Sequence, residues 1–131
     1  MLFAPPGHAL AGTLRERLPS TVLTHATGSA LPARRHALAL VADTLETLPP
    51  ADGRALLAAL RDRGAAHVLV LADLARSRVP EAELRALGFR AHARDGDAAL
   101  FGFDLYGYKD RPDWLGPQHW AHPELWDRFR W

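Results

Sequence analysis

The sequence predicts an α/β fold: a mostly parallel sheet of about five strands, helices on both faces and an antiparallel hairpin at the C-terminal end. Three observations predict it. A continuously apolar run, 37–42 (ALALVA), and a second strand-like run, 67–72 (HVLVLA), are each closed by an aspartate, Asp43 and Asp73, as in strands covered on both sides of a sheet. Between and after them lie segments with helix start and stop signals. Finally, two alternating runs meet at Asp95-Gly96. The 131 residues amount to one domain with one core.

The elements follow in order. Leu10, Leu14 and Leu18 recur on one face over 8–18, with Arg15, Glu16 and Arg17 turned outward and Pro19 ending the helix. Residues 21–26 are short and partly β-branched, and Thr27-Gly28-Ser29 follows as a turn. The strand 37–42 comes next. Pro49-Pro50-Ala51-Asp52 opens a helix that turns Leu56, Leu57 and Leu60 inward, with Asp52 near its positive end and Gly64 expected as its left-handed cap. After the strand 67–72, residues 80–87 form a helix with Glu81 and Glu83 in its first turn and Gly88 just beyond. Residues 89–94 and 98–105 alternate through Phe89, Ala91 and Ala93 and through Phe101, Phe103 and Leu105, giving the hairpin. Parallel strands joined by helices require right-handed crossovers, so the plan is Rossmann-like.

Composition excludes several classes. Sixteen Lys and Arg balance fifteen Asp and Glu, so no basic excess exists to hold a phosphate backbone, and no nucleic-acid partner is expected. Cysteine is absent, which removes disulfides, thiolate metal sites and cysteine nucleophiles. Pro5-Pro6 breaks any apolar leader, and no run approaches the roughly 20 residues of a membrane span, so a cytoplasmic location without a membrane partner is expected. Ser20, Ser29 and Ser77 lie outside any G-x-S-x-G elbow, and no P-loop is present.

The segment ALALVADTLETLP at 37–49 resembles the stretch after the fourth strand of class I S-adenosylmethionine-dependent methyltransferases, with Leu45-Glu46-Thr47-Leu48 in place of a Leu-Glu-His-Leu run. The helix 54–63, the strand 67–72 and the Leu87-Gly88-Phe89 turn into the hairpin continue that resemblance to residue 105. The whole chain also resembles small proteobacterial proteins of unknown function that share this truncated plan and end in a Trp-rich tail. The methyltransferase resemblance implies a cofactor pocket fed by a glycine-rich turn after the first strand and an acidic residue after the second. This chain has no G-x-G. With 21–26 read as the first strand, the turn is Ala26-Thr27-Gly28-Ser29, and only about ten residues separate it from Ala37.

A degenerate, non-catalytic methyltransferase-like domain acting as a binding or assembly module is therefore expected. The alternatives are a minimal methyltransferase and an aromatic docking module. No residue is assigned a catalytic role and no cofactor is expected. Any surviving S-adenosylmethionine pocket would use Thr27, Gly28, Asp43, Thr44 and Asp73, at the strand ends where open α/β sheets bind ligands. The two aspartates also suit turn capping. His119-x-x-His122 is the one close histidine pair, flanked by Pro117 and Pro123 and short of ligands, so no metal site is expected.

The remaining expectation concerns the tail. Residues 1–105 read as the α/β core and 106–131 as an aromatic C-terminal tail holding both tyrosines and all four tryptophans. Trp114, Trp120, Trp126, Phe129 and Trp131 are its candidate interaction residues. The tail is expected to pack on its own domain, and a homodimer or another protein partner is the alternative.

Overall fold

A computed structural model describes residues 1–107 apart from positions 21, 29, 31 and 32. The tail tryptophans, Phe129 and the His119-His122 pair lie outside the described residues. Six strands form one sheet in the order β2-β1-β3-β4-β6-β5. They are β1 (Leu2–Phe3), β2 (His25–Ala26), β3 (His36–Ala42), β4 (Ala65–Asp73), β5 (Arg90–Asp95) and β6 (Ala98–Asp104). The first four run parallel, and β6 lies antiparallel between β4 and β5. Three helices connect them: α1 (Ala9–Arg17), α2 (Pro50–Ala59) and α3 (Glu81–Ala86).

The sequence reading places no strand at β1. Although only two residues long, β1 is paired on both sides: Leu2 with His25 and Leu40, Phe3 with Ala26 and Val41. Both side chains are fully buried, on opposite faces. The strand expected over 21–26 shrinks to β2 because β1, its neighbour, offers only two residues to pair with. β2 is thus the second strand of the chain, and α1 is the crossover between β1 and β2.

The faces are unequally covered. On one, Val41, Val68, Val70, Phe101 and Phe103 pack with Leu56, Leu57 and Leu60 from α2 and with Leu84 of α3. On the other, Leu2, Ala4 and Leu40 meet Leu10, Ala11 and Leu14 of α1. Helices do lie on both faces, but α1 reaches only β1 and β3. The expectation that 37–42 and 67–72 are buried on both sides therefore fails on the α1 face, where Leu38 is 39% and Leu71 46% exposed.

Local endings refine the reading. α2 begins with Pro50 at its first turn and Asp52 beside it, as the start signals require. It ends in a π turn, Leu60–Gly64, in which Ala65 N–H donates to the Leu60 carbonyl. Gly64 is buried and is not left-handed, so the expected glycine cap is replaced by this wider turn. Gly88 does take the left-handed conformation after α3, at φ +93°. The hairpin loop is Gly96-Asp97, since Asp95 pairs with Ala98, and β5 bulges between Ala91 and Ala93.

Candidate functional site at the carboxyl edge

Open α/β sheets bind ligands beyond the carboxyl ends of their parallel strands. Here three ends meet there. β1 runs through Ala4-Pro5-Pro6-Gly7 into α1, β2 ends at Thr27-Gly28, and β3 ends at Asp43-Thr44. They enclose a cleft of about 270 Å³ lined by Pro5, Pro6, Thr27, Gly28, Thr44 and Thr47 among others. Three of the five sequence-predicted residues, Thr27, Gly28 and Thr44, thus share one wall. Gly28 sits at φ +73°, where a side chain would be strained.

Two hydroxyls of this cleft, those of Thr44 and Thr47, are spent on the fold. Thr44 is 5% exposed, and its Oγ1 lies 3.1 Å from the Phe3 carbonyl and 3.0 Å from that of Ala42. It therefore clips the end of β3 to β1. Thr47 Oγ1 lies 3.1 Å from the Thr44 carbonyl and tightens the following turn.

Asp43 turns its carboxylate away from the cleft lining, to Nε2 of His8 at 3.1 Å. Its φ of +49° is unusual for a residue with a side chain and re-aims the chain at the strand end. His8 also caps α1, its Nδ1 accepting from Leu10 N–H at 3.1 Å. An accepting Nδ1 leaves the ring proton on Nε2, which donates to Asp43. The sequence signals for caps, Ser, Thr, Asp or Asn, miss this imidazole.

Asp73 is not brought to the cleft. Its Oδ1 accepts from Ala75 N–H at 3.0 Å, and its carbonyl accepts from the amides of Arg76 and Ser77. That is the turn-capping role open to it in the sequence. Its own N–H donates to Glu46 Oε1 at 2.8 Å. Glu46 is 7% exposed, and its Oε2 is buried with no partner among the described residues. Sequence reasoning met Glu46 only as part of the Leu-Glu-Thr-Leu run. A carboxylate joining two turns is a tertiary fact with no local signature.

Among the described residues no group of three or more His, Asp or Glu is placed to hold a metal ion. No helix among them is long and apolar enough to cross a membrane. A larger hollow at the opposite edge, by Arg61, Asp62 and Leu87, offers little free polarity, because Arg61 pairs with Asp62 at 2.7 Å and donates to the Leu87 carbonyl.

These strand orders and this edge define an open, doubly wound α/β domain of methyltransferase-like fold. A solved structure of the S-adenosylmethionine-dependent methyltransferase SibL in its apo form is similar to it, with a TM-score of 0.52 and 17% identity. The likeness covers 79% of this chain and 42% of SibL, so the chain spans less than half of that enzyme's length. Residues 4–131 match the Family of unknown function (DUF6231), and the chain belongs to that family. No curated protein matches it.

Proposed function

We propose that this chain is a methyltransferase-like domain that serves as a binding or assembly module and does not transfer methyl groups. The observation that carries the reading is the turn from β1 into α1, where two residues lack an N–H and the amides of His8, Leu10 and Ala11 are bonded within the chain. A cofactor carboxylate or phosphate is held at such a turn by free N–H groups on glycine-rich backbone at a helix N-terminus. Pro5 and Pro6 have no N–H to offer. The Leu10 amide, in the first turn of α1, is already taken by His8 Nδ1.

Two further features support the same reading. Thr27 and Gly28 follow β2 where a ribose hydroxyl pair would need an acidic residue. The cleft, at about 270 Å³, falls below the roughly 300–1,000 Å³ of small-molecule sites. The residues present therefore do not fit S-adenosylmethionine, and no chemical step is assigned through it.

Titration calorimetry of the full chain with S-adenosylmethionine and S-adenosylhomocysteine tests the proposal. The expected outcome is no saturable heat up to millimolar ligand. A micromolar dissociation constant for either compound would overturn it and restore the minimal-methyltransferase reading.

A further inference from the structure

The amino edge of the sheet, where β3, β4 and β5 begin and β6 ends, is basic. It carries Arg34, Arg35, Arg61, Arg63 and Arg90 against Asp62 and Asp104. Five positive groups against two negative leave +3 there, in a chain whose formal total is +1, so everything else carries −2. An excess of one sign gathered at one end of a near-neutral domain draws in partners of the other sign.

Four of these arginines are gathered by the fold itself. His36 pairs with Ala65, which sets residues 34–35 beside the end of the π turn at 60–64. There the Arg35 guanidinium donates to backbone, from Nη2 to the Asp62 carbonyl and from Nε to that of Arg63 at 3.3 Å. It ties two segments together and meets no carboxylate. Arg61 donates from Nε to Asp62 Oδ1 at 2.7 Å, so Asp62 neutralises Arg61. Arg34 and Arg63 are exposed and make no ion pair among the described residues.

The hollow of this edge lies against the same arginines. It measures about 440 Å³ and is lined by Arg61, Ala86, Leu87, Gly88, Phe103 and Leu105 among others, a size within the roughly 300–1,000 Å³ of ligand sites. Arg61 is occupied by Asp62 and by the Leu87 carbonyl at 3.0 Å, so what the hollow offers an incoming group is apolar wall. Arginines around a pocket for one apolar side chain have the composition of a protein interface hot spot. Nucleic acid fits less well, because Phe103 is 5% exposed and presents no ring on which bases could stack. The acidic carboxyl edge of a second copy is no rival, since Asp43 is held by His8 and Asp73 by the Ala75 amide.

We infer that the amino edge docks an acidic segment of a partner protein, with its carboxylates on Arg34, Arg35 and Arg63 and one bulky apolar side chain in the hollow beside Leu87 and Phe103. Guanidinium groups hold carboxylates through paired N–H donors, and the apolar anchor supplies the burial that exposed ion pairs lack. The inference rests on the binding-module reading and names the partner's chemistry. Cofactor affinity at the opposite edge is a separate measurement, so either can fail alone.

The experiment titrates the full chain with the capped pentapeptide Glu-Glu-Leu-Glu-Glu and follows backbone amide resonances. Saturable shifts at Gly88 and Leu105 are expected, with a dissociation constant of about 1 mM or tighter that weakens as salt is added. Arg34→Glu and Arg63→Glu should each weaken binding about fivefold or more, while Arg76→Glu, the same charge change at an exposed position of the opposite edge, should leave it within about twofold. Glycine in place of the peptide's leucine should also weaken it about fivefold or more. The absence of saturable shifts overturns the inference. Equal losses from Arg63→Glu and Arg76→Glu overturn it by reducing the effect to net charge, and so does equal binding of the glycine peptide. Tighter binding of an oligothymidylate of the same charge overturns it in favour of nucleic acid, and self-association abolished by Arg63→Glu overturns it in favour of a second copy. The two peptides and the salt dependence decide on the parent chain even if a variant does not fold.

Discussion

Replacing Thr44 by valine removes one hydroxyl and almost no volume, so the packing around it stays filled. What is lost is the bond that ties the end of β3 to β1, through an oxygen 3.1 Å from the Phe3 carbonyl and 3.0 Å from that of Ala42. A net hydrogen bond contributes about 1 kcal/mol, and a carbonyl left buried without its donor costs about 1–3 kcal/mol. Taking about 1.5 kcal/mol, and about 4 °C per kcal/mol for a domain of this size, Thr44→Val lowers the melting temperature by about 6 °C. The loss is concentrated at β1, which has only two paired residues. Amide exchange at Leu2, bonded to the Thr24 carbonyl, and at Leu40, bonded to that of Met1, therefore accelerates more than exchange at Val70 in β4. Thermal unfolding followed by circular dichroism, with residue-resolved hydrogen exchange, measures both effects. Thr44→Ser keeps the hydroxyl and recovers most of the stability. A melting point of Thr44→Val equal to that of the parent, or a Thr44→Ser variant as weak as the valine one, would refute the reasoning.

Four other outcomes follow from the same geometry. His8→Ala loses the cap on Leu10 and the bond to Asp43, and should cost about 1 kcal/mol in urea unfolding. Burial, and secondarily the positive amino terminus, hold the His36 imidazole below its ordinary value of 6.5. The unfolded chain thus takes up the proton first, and stability is kept above about pH 6.5 and lost as pH falls towards the lower folded value. His36→Asn should flatten that part of the urea midpoint's pH profile. Gly53→Ala places a Cβ 2.9 Å from Cγ2 of the buried Val79 and should lose about 1 kcal/mol despite alanine's helix preference, whereas Gly12→Ala in α1 meets nothing within 4 Å and should gain up to about 1 kcal/mol. Paired thermal melts check both signs.

What the sequence discloses is the part of the fold carried by local patterns. β3, β4, α2, α3 and the hairpin are recognisable because their apolar runs, start signals and the glycines at 88 and 96 act within a few residues. β1 is hidden because two residues before Pro5-Pro6 show no periodicity, and its status as a strand comes from partners more than twenty positions away. Missing it shifts the strand count, so Thr27-Gly28 reads as the turn after the first strand when it follows the second. Full burial of 37–42 and 67–72 is misjudged for another reason. An apolar run says that a strand can be covered on both sides, while the exposure of Leu38 and Leu71 depends on which helices arrive. Thr27, Gly28 and Thr44, chosen for their place at strand ends, line one cleft, and Asp73 keeps to its turn. His8 and Glu46 act through contacts 35 and 27 residues away that no spacing rule anticipates.

On the proposed reading, Pro5 and Pro6 without N–H groups and a Leu10 amide bonded to His8 deprive an adenosyl cofactor of its cradle at the β1–α1 turn. The most direct test follows the backbone amide resonances of Leu10, Gly28, Thr44 and Thr47 during titration with S-adenosylhomocysteine. All four are expected to stay in place at millimolar ligand while the His8 ring keeps its proton on Nε2. Concerted, saturable shifts at these residues, with release of the Leu10 amide from His8, would contradict it.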